Sequence, residues 1–267
     1  MSADFGKIFG KALRYAFSFD RILPFFVVDL IIVVSILVFL NSLVNAMLYF
    51  GGDFSSLPLV GQASVGSFFS TLLIFAIIII VLVLVQLFFS GAIADNARLS
   101  YGKKEQHITS SFAAVKKRYW SILGATILTG LISSAVNIVP YIGWIISFIV
   151  SWFFIFIVQA VIISNKGAVD ALKDSYKLFM KNKLDVIVFW LLLAIIGFAI
   201  FLIALLPVGI IMLPIILSAK TLSAMALIKS SMPLILICGV IFAAFLAYMN
   251  VFQEAARTFF YLNVRKK

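Results

Sequence analysis

The sequence predicts an all-α integral membrane protein: six transmembrane helices forming three hairpins repeated in one direction, each preceded by a basic amphipathic interfacial helix. Three observations lead there. Of the 267 residues, 64% are hydrophobic and 12% charged, where soluble domains carry about half and a quarter. Six apolar runs reach the roughly 20 residues needed to cross hydrocarbon: Leu23–Phe50, Gly66–Ala94, Trp120–Ile138, Tyr141–Ser164, Val186–Leu217 and Met232–Phe252. Three short segments pair a basic face with an apolar stripe at helical spacing. Strands are excluded because barrel strands alternate over about ten residues, whereas these runs are long and continuously apolar.

The first basic segment carries Phe5, Ile8, Phe9, Ala12, Leu13 and Ala16 opposite Lys7, Lys11 and Arg14, the pattern of a helix lying apolar side down in the membrane interface. Run one then starts near Leu23, too long for the apolar part of a signal peptide, so no cleavable leader is expected. Asp29 is the one acid well inside a run. It stands about eight residues from Arg21, roughly 12 Å along a helix, and reads either as an interfacial pairing or as a proton- or cation-coupled site. Asn41 and Asn45 share a face one turn apart. Run two exceeds a straight span and should tilt or project.

The second basic segment sets Ile108, Phe112, Val115 and Tyr119 opposite Lys116 and Lys117, with Arg118 beside them. Runs three and four meet at Asn137-Ile-Val-Pro140, short enough to force an antiparallel connection. The third and strongest segment is Gly167–Asp185, with Val169, Leu172, Tyr176 and Phe179 opposite Lys173, Asp174, Lys177 and Lys181. In run five, Pro207 and Pro214 flank Gly209 and predict a kink or break. Ser218–Ser231 is expected to rest on the far surface. Run six offers Gly239, Ala243 and Ala247 for close helix packing, and Glu254 and Arg257, three apart, for an ion pair.

Of the 21 Lys and Arg, all but Lys220 and Lys229 fall on one side of this topology. By the positive-inside rule that side, with both termini, is cytoplasmic, and the cell membrane is the expected location. Eight of the ten acids share that side, so the whole formal charge of +11 resides there. Sorting alone accounts for the excess; so do binding of anionic lipid headgroups, at about 1 kcal/mol per basic residue, and docking of a membrane-protein partner or a second copy. Nucleic acid is not an expected partner. The headgroup reading nominates Lys116, Lys117, Arg118, Lys173, Lys177 and Lys181. A polar intramembrane site would draw on Asp29, Asn41, Asn45, Gln86, Gln159 and Asn250.

Gln86, Gln159 and Gln253 each stand near the end of an even-numbered run. With the basic segments they divide a single polytopic domain over 1–267 into repeat-like units of approximately 1–100, 101–165 and 166–267. The order of basic helix and hairpin, and the connection Lys166-Gly167-Ala168-Val169-Asp170-Ala171-Leu172-Lys173-Asp174-Ser175, resembles a prokaryotic group of uncharacterised six-helix membrane proteins. These are related to the membrane domain of glycerophosphoryl diester phosphodiesterases. The resemblance implies a stand-alone bacterial or archaeal membrane domain without the hydrolase.

Catalytic constellations are not visible. His107 is the single histidine and Cys238 the single cysteine; metal sites need several ligands at fixed spacing, and Cys238 has no basic neighbour to activate it. No enzyme activity, metal or cofactor is expected. The resulting expectation is a lipid-interacting, envelope-associated helper or scaffold with a basic cytoplasmic face. The alternative is a small transporter or channel built on Asp29 and an interrupted fifth helix.

Overall fold

A computed structural model of the chain describes residues 4–49, 62–101, 107–217 and 223–265, without the side chains of 43–49, 62–68, 212, 214–216, 223–230 and 232. Among the described residues the regular structure is helical: α1 (Phe5–Ala16), α2 (Phe19–Tyr49), α3 (Gln62–Tyr101), α4 (Phe112–Asn137), α5 (Gly143–Phe153), α6 (Ile157–Ile163), α7 (Ala168–Lys181), α8 (Lys183–Leu217) and α9 (Ser223–Arg265). A 3₁₀ turn, Ile108–Ser111, precedes α4. Six helical stretches are long and apolar enough to cross a membrane, the architecture of a multi-pass membrane protein. In hydrocarbon every backbone donor and acceptor must find its partner within the protein, and continuous helices achieve this for long apolar runs.

The element boundaries correct three expectations. The second basic segment is not a separate surface helix: after the 3₁₀ turn, Lys116, Lys117 and Arg118 belong to the first turns of the same 26-residue helix that carries run three. No glycine or proline separates them from the apolar run, so nothing stops the helix. The fifth run is not interrupted, because α8 continues from Lys183 to Leu217 past both prolines. A proline removes one donor, a local loss within a helix whose remaining bonds hold on either side. The interruption occurs in the fourth run, where α5 ends at Phe153 and α6 starts at Ile157.

Two compact units are formed. The first comprises Met1–Phe25, Gln86–Ile200 and Ala247–Lys267, the second Phe26–Val85 and Phe201–Leu246.

The first unit is built around stacked phenylalanines. Phe189 and Phe260 lie 4.3 Å apart, Phe156 and Phe260 5.6 Å apart, and Phe9 packs 5.5 Å from Phe189. Such ring pairs add about 0.5–1.5 kcal/mol each beyond area burial. The cluster explains a further correction. Ile8, Phe9, Ala12, Tyr15 and Ala16 of α1 are buried, so the apolar stripe of the N-terminal segment faces protein rather than lipid. Asp4 caps this helix, its carboxylate accepting from the Lys7 amide at 3.1 Å. At its other end Arg21, itself buried, donates to the Tyr15 carbonyl at 2.9 Å and lies 3.9 Å above the Tyr15 ring. Burial pushes the Tyr15 phenol well above its ordinary pKa, and it stays protonated to donate to Asn96 Oδ1 at 2.6 Å.

Close packing of α4 recurs at glycines. A Cβ on Gly124 would come 3.3 Å from Ala168, and one on Gly91 2.9 Å from Ile122. Between α4 and α5, Ser147 Oγ donates to the Ser133 carbonyl at 3.0 Å. The turn joining them admits only a glycine at position 143, where a Cβ would meet backbone atoms: Val136 O at 2.8 Å and Asn137 Cα at 2.9 Å. Backbone cannot yield as a side chain does. Gly143→Ala is therefore expected to lower the unfolding midpoint in mild detergent, at a cost of about 1–3 kcal/mol. Gly130→Ala, where a Cβ meets nothing within 4 Å, serves as the neutral comparison.

In the second unit Gly239 of α9 faces α2, where an added Cβ would meet Val33 Cγ1 at 2.8 Å. Ala243, one turn on, is fully buried, and Cys238 is buried as a small apolar side chain. Phe39 stacks on Phe75 at 4.8 Å, and Phe201 meets Phe242 at 6.0 Å. These contacts place the small-residue steps of run six in packing within the chain.

Candidate functional site: a stapled helix break and two polar pockets

An interruption in a membrane-crossing helix frees backbone groups that water cannot satisfy. At the α5–α6 break one side chain partners two backbone groups. Ser175 of α7 donates from Oγ to the Phe153 carbonyl at 2.7 Å, and the Phe156 amide donates to Ser175 Oγ at 3.3 Å. Phe154 and Phe156 hold φ −113°, ψ 14° and φ −109°, ψ 20°, the bridge region between helix and strand. Bulky anchors brace the turn on both sides: Phe156 is fully buried among Phe189, Phe260 and Tyr261, and Phe153 packs 4.8 Å from Phe179 of α7. Helix α6 ends at Ile163, and just beyond it Asn165, with a φ of 58°, lets the Lys166 amide reach back to the Ala160 carbonyl at 3.4 Å.

This staple depends on which way α7 faces. Its buried positions are Ala171, Leu172, Ser175 and Phe179, so the helix is rotated from the expected stripe, and Val169 and Tyr176 are exposed. With Met180 and Lys173 they form an outward face that is apolar and basic together.

Past the break, α6 delivers Gln159 to a buried polar centre. Its Nε2 donates to Glu254 Oε2 at 3.1 Å, and Arg257 Nη1 donates to Glu254 Oε1 at 2.7 Å. The ion pair expected from the i,i+3 spacing on α9 is thus present, and it is largely removed from solvent: the Glu254 side chain is 10% exposed and Arg257 29%. Gln159 Oε1 and Arg257 Nε are buried without a protein partner. The pair borders a cavity of about 500 Å³ whose wall includes Phe154 and Ile155 of the break, Trp190 of α8, and hydroxyls of Ser90, Thr126, Thr129, Ser133 and Ser151.

A second, smaller pocket of about 170 Å³ lies further along α9. Lys177 and Lys181 of α7 and Arg265 of α9 line it with Asp174 and Tyr261. Asp174 is engaged, accepting from the Tyr261 phenol at 2.8 Å. The phenol hydrogen being spent there, Ser164 donates to the phenol oxygen and Arg265 Nη1 donates to Ser164 Oγ. A chain of hydrogen bonds therefore runs from a guanidinium to a carboxylate, leaving both lysines available.

Residues 138–263 match a domain of unknown function, DUF7847. No curated protein and no solved structure matches the chain. The DUF7847-like stretch is just under half of the 267 residues, yet it carries the break, Ser175, Gln159, the Glu254–Arg257 pair, Lys177, Lys181 and Tyr261. Arg265 and the hydroxyls of α4 lie outside it.

Of the nominated headgroup residues, Lys177 and Lys181 converge in the smaller pocket, while Lys173 is exposed beside it on α7. Lys116 and Lys117 are exposed on α4 and Arg118 is half-buried there. Arg265 completes the basic pocket and was not nominated; its place in the basic tail was the available signal. Of the nominated polar residues, Gln159 joins the Glu254–Arg257 centre through a hydrogen bond to Glu254. Gln86 and Asn250 are half-buried in the same unit. Asp29, buried, and Asn41, exposed, belong to the other unit; the side chain of Asn45 lies outside the described residues. The α4 hydroxyls of Thr126, Thr129 and Ser133 were not nominated, although their spacing of three and seven from Thr126 already placed them on one face. Among the described residues no three His, Cys, Asp or Glu gather to hold a metal ion.

Proposed function

We infer that this protein is a lipid-interacting membrane module whose α7–α9 corner binds the phosphate of anionic headgroups at the cytoplasmic face. The observation carrying this reading is the convergence of Lys177, Lys181 and Arg265 on one pocket. Three cations face a single carboxylate, and that carboxylate is already held by Tyr261. The C-terminal end of α7 contributes only about half a negative charge, too little to offset the excess. The outward face of α7, with Val169, Tyr176 and Met180 between lysines, suits a helix half-immersed beside such headgroups. The cytoplasmic orientation, the three like-directed hairpins and the kinship with phosphodiesterase membrane domains belong to the same proposal. The transporter alternative keeps Asp29 but not a broken fifth helix, since α8 is continuous.

Native mass spectrometry of the full chain released from mixed phosphatidylglycerol and phosphatidylcholine nanodiscs tests the proposal. Lys177→Gln, Lys181→Gln and Arg265→Gln together are expected to weaken retention of phosphatidylglycerol on the order of a hundredfold, at about 1 kcal/mol per cation, with the phosphatidylcholine count unchanged. The difference should shrink at high salt. Equal phosphatidylglycerol retention by both forms would leave the basic face a topology signal only.

A further inference from the structure

Helix α4 carries a polar stripe where a membrane helix has least use for one. Thr126, Thr129, Gly130 and Ser133 recur at spacings of three, four and seven, which puts them on one face over roughly 10 Å. All lie inside a stretch long and apolar enough to cross the membrane, as does Ser151 opposite them. Two of these hydroxyls bond within their own helices, Thr129 Oγ1 donating to the Ala125 carbonyl at 2.9 Å and Ser151 Oγ to the Phe148 carbonyl at 2.6 Å, which leaves each oxygen as an acceptor. Here they face the cavity of about 500 Å³, within the 300–1,000 Å³ typical of small-molecule sites.

The chemistry of the wall selects the occupant. Glu254 neutralises Arg257 across 2.7 Å, so the cavity presents donors and acceptors without net charge. A phosphate entering would meet the Glu254 carboxylate, and an ammonium would meet the Arg257 guanidinium. A neutral hydroxylated group meets neither penalty, since each hydroxyl both donates and accepts. Trp190 adds an aromatic wall against which the C–H face of a sugar ring can lie. Arg257, which lines the cavity, keeps its Nε buried without a protein partner, so polar demand at this wall exceeds what the chain supplies. Thr126, Gly130 and Ser151 are exposed, which opens the cavity within the crossing segments rather than at a helix end.

We propose that this groove binds the uncharged, sugar-type headgroup of a membrane glycolipid, entering sideways from the bilayer, with Thr126, Thr129, Ser133 and the Glu254–Arg257 pair hydrogen-bonding its hydroxyls. The site is separate from the basic pocket and does not depend on it.

The test uses the full chain in nanodiscs doped with a monoglycosyl diacylglycerol, with retained lipid counted by native mass spectrometry. Thr126→Val, Thr129→Val and Ser133→Ala combined remove the hydroxyls at nearly constant volume. The expected result is at least a tenfold loss of retained glycolipid, with phosphatidylglycerol retention unchanged. Should that variant fail to fold, Ser151→Ala alone is expected to show a smaller loss in the same direction. Equal glycolipid retention by wild type and the folded variant would overturn the proposal. So would displacement of the glycolipid from wild type by phosphatidylglycerol at equal mole fraction, which would make the groove an anion site. Competition by a soluble methyl glycoside as effective as the glycolipid itself would overturn the membrane source of the ligand.

Discussion

Ser175→Ala is expected to destabilise the protein by roughly 2–4 kcal/mol, because two backbone groups lose their partner at once and each unsatisfied buried group costs about 1–3 kcal/mol. The Phe153 carbonyl and the Phe156 amide both rest on that one hydroxyl, and Ser175 is fully buried, so water does not replace it readily. The measurement is the unfolding midpoint in mild detergent, set beside Ser134→Ala, an exposed serine on α4. Hydrogen exchange adds a local readout: the Phe156 amide should lose protection in the variant while the middle of α8 keeps it. A midpoint matching that of Ser134→Ala would mean the break holds itself open without the staple.

Removing Glu254 should do comparable damage for an electrostatic reason. Glu254→Ala leaves the Arg257 guanidinium and the Gln159 amide without their acceptor, and breaking a buried pair costs about 3–5 kcal/mol. Arg257 is 29% exposed, so water recovers part of this, and a loss of about 2–4 kcal/mol is expected. Removing both charges should hurt less than removing the one. Glu254→Ala with Arg257→Leu is therefore expected to unfold at a higher temperature than Glu254→Ala, a coupling that a double-mutant cycle reads directly. If the double variant is the less stable of the two, by the sum of the single losses, the pair contributes no coupling and the polar centre is two independent residues.

The two variants bear on one another through α6. Ser175 sets where α6 begins, and α6 sets where Gln159 meets Glu254. Loss of the staple should therefore also loosen the Glu254 centre, whereas loss of Glu254 should leave the protection of the Phe156 amide largely intact.

Much of the membrane architecture was legible in the residues. Long apolar runs in lipid have one economical conformation, so the crossing helices follow from length and composition alone. The Glu254–Arg257 pair follows from a spacing of three on one helix, and Gly239 with Ala243 from the room that small side chains leave. These are properties of one segment, or of one segment and its solvent. The break between Phe153 and Ile157 was not legible, since no proline or glycine marks it. Pro207 and Pro214, which do mark a breaking signal, lie in a continuous helix. Propensity is worth about 3 kcal/mol at a proline and less at phenylalanine, and packing of Phe156 with the Ser175 bonds outweighs it. The facing of α7 was missed for a related reason. An amphipathic pattern tells which side is apolar, but not whether lipid or protein covers it, and α7 has an apolar strip on each of two faces.

The sequence by itself therefore determined the membrane class, the number and length of the crossing segments and the concentration of basic residues in a few short connections. Each depends on local composition summed over a segment. Only the tertiary structure decided that Ser175 closes a gap 19 and 22 residues away in the chain, that Gln159 reaches Glu254 across 95 residues, and that Lys177, Lys181 and Arg265 line one pocket. A hydrogen bond or a shared pocket requires atoms within a few ångströms, and no periodicity within one helix specifies which distant helix will supply them.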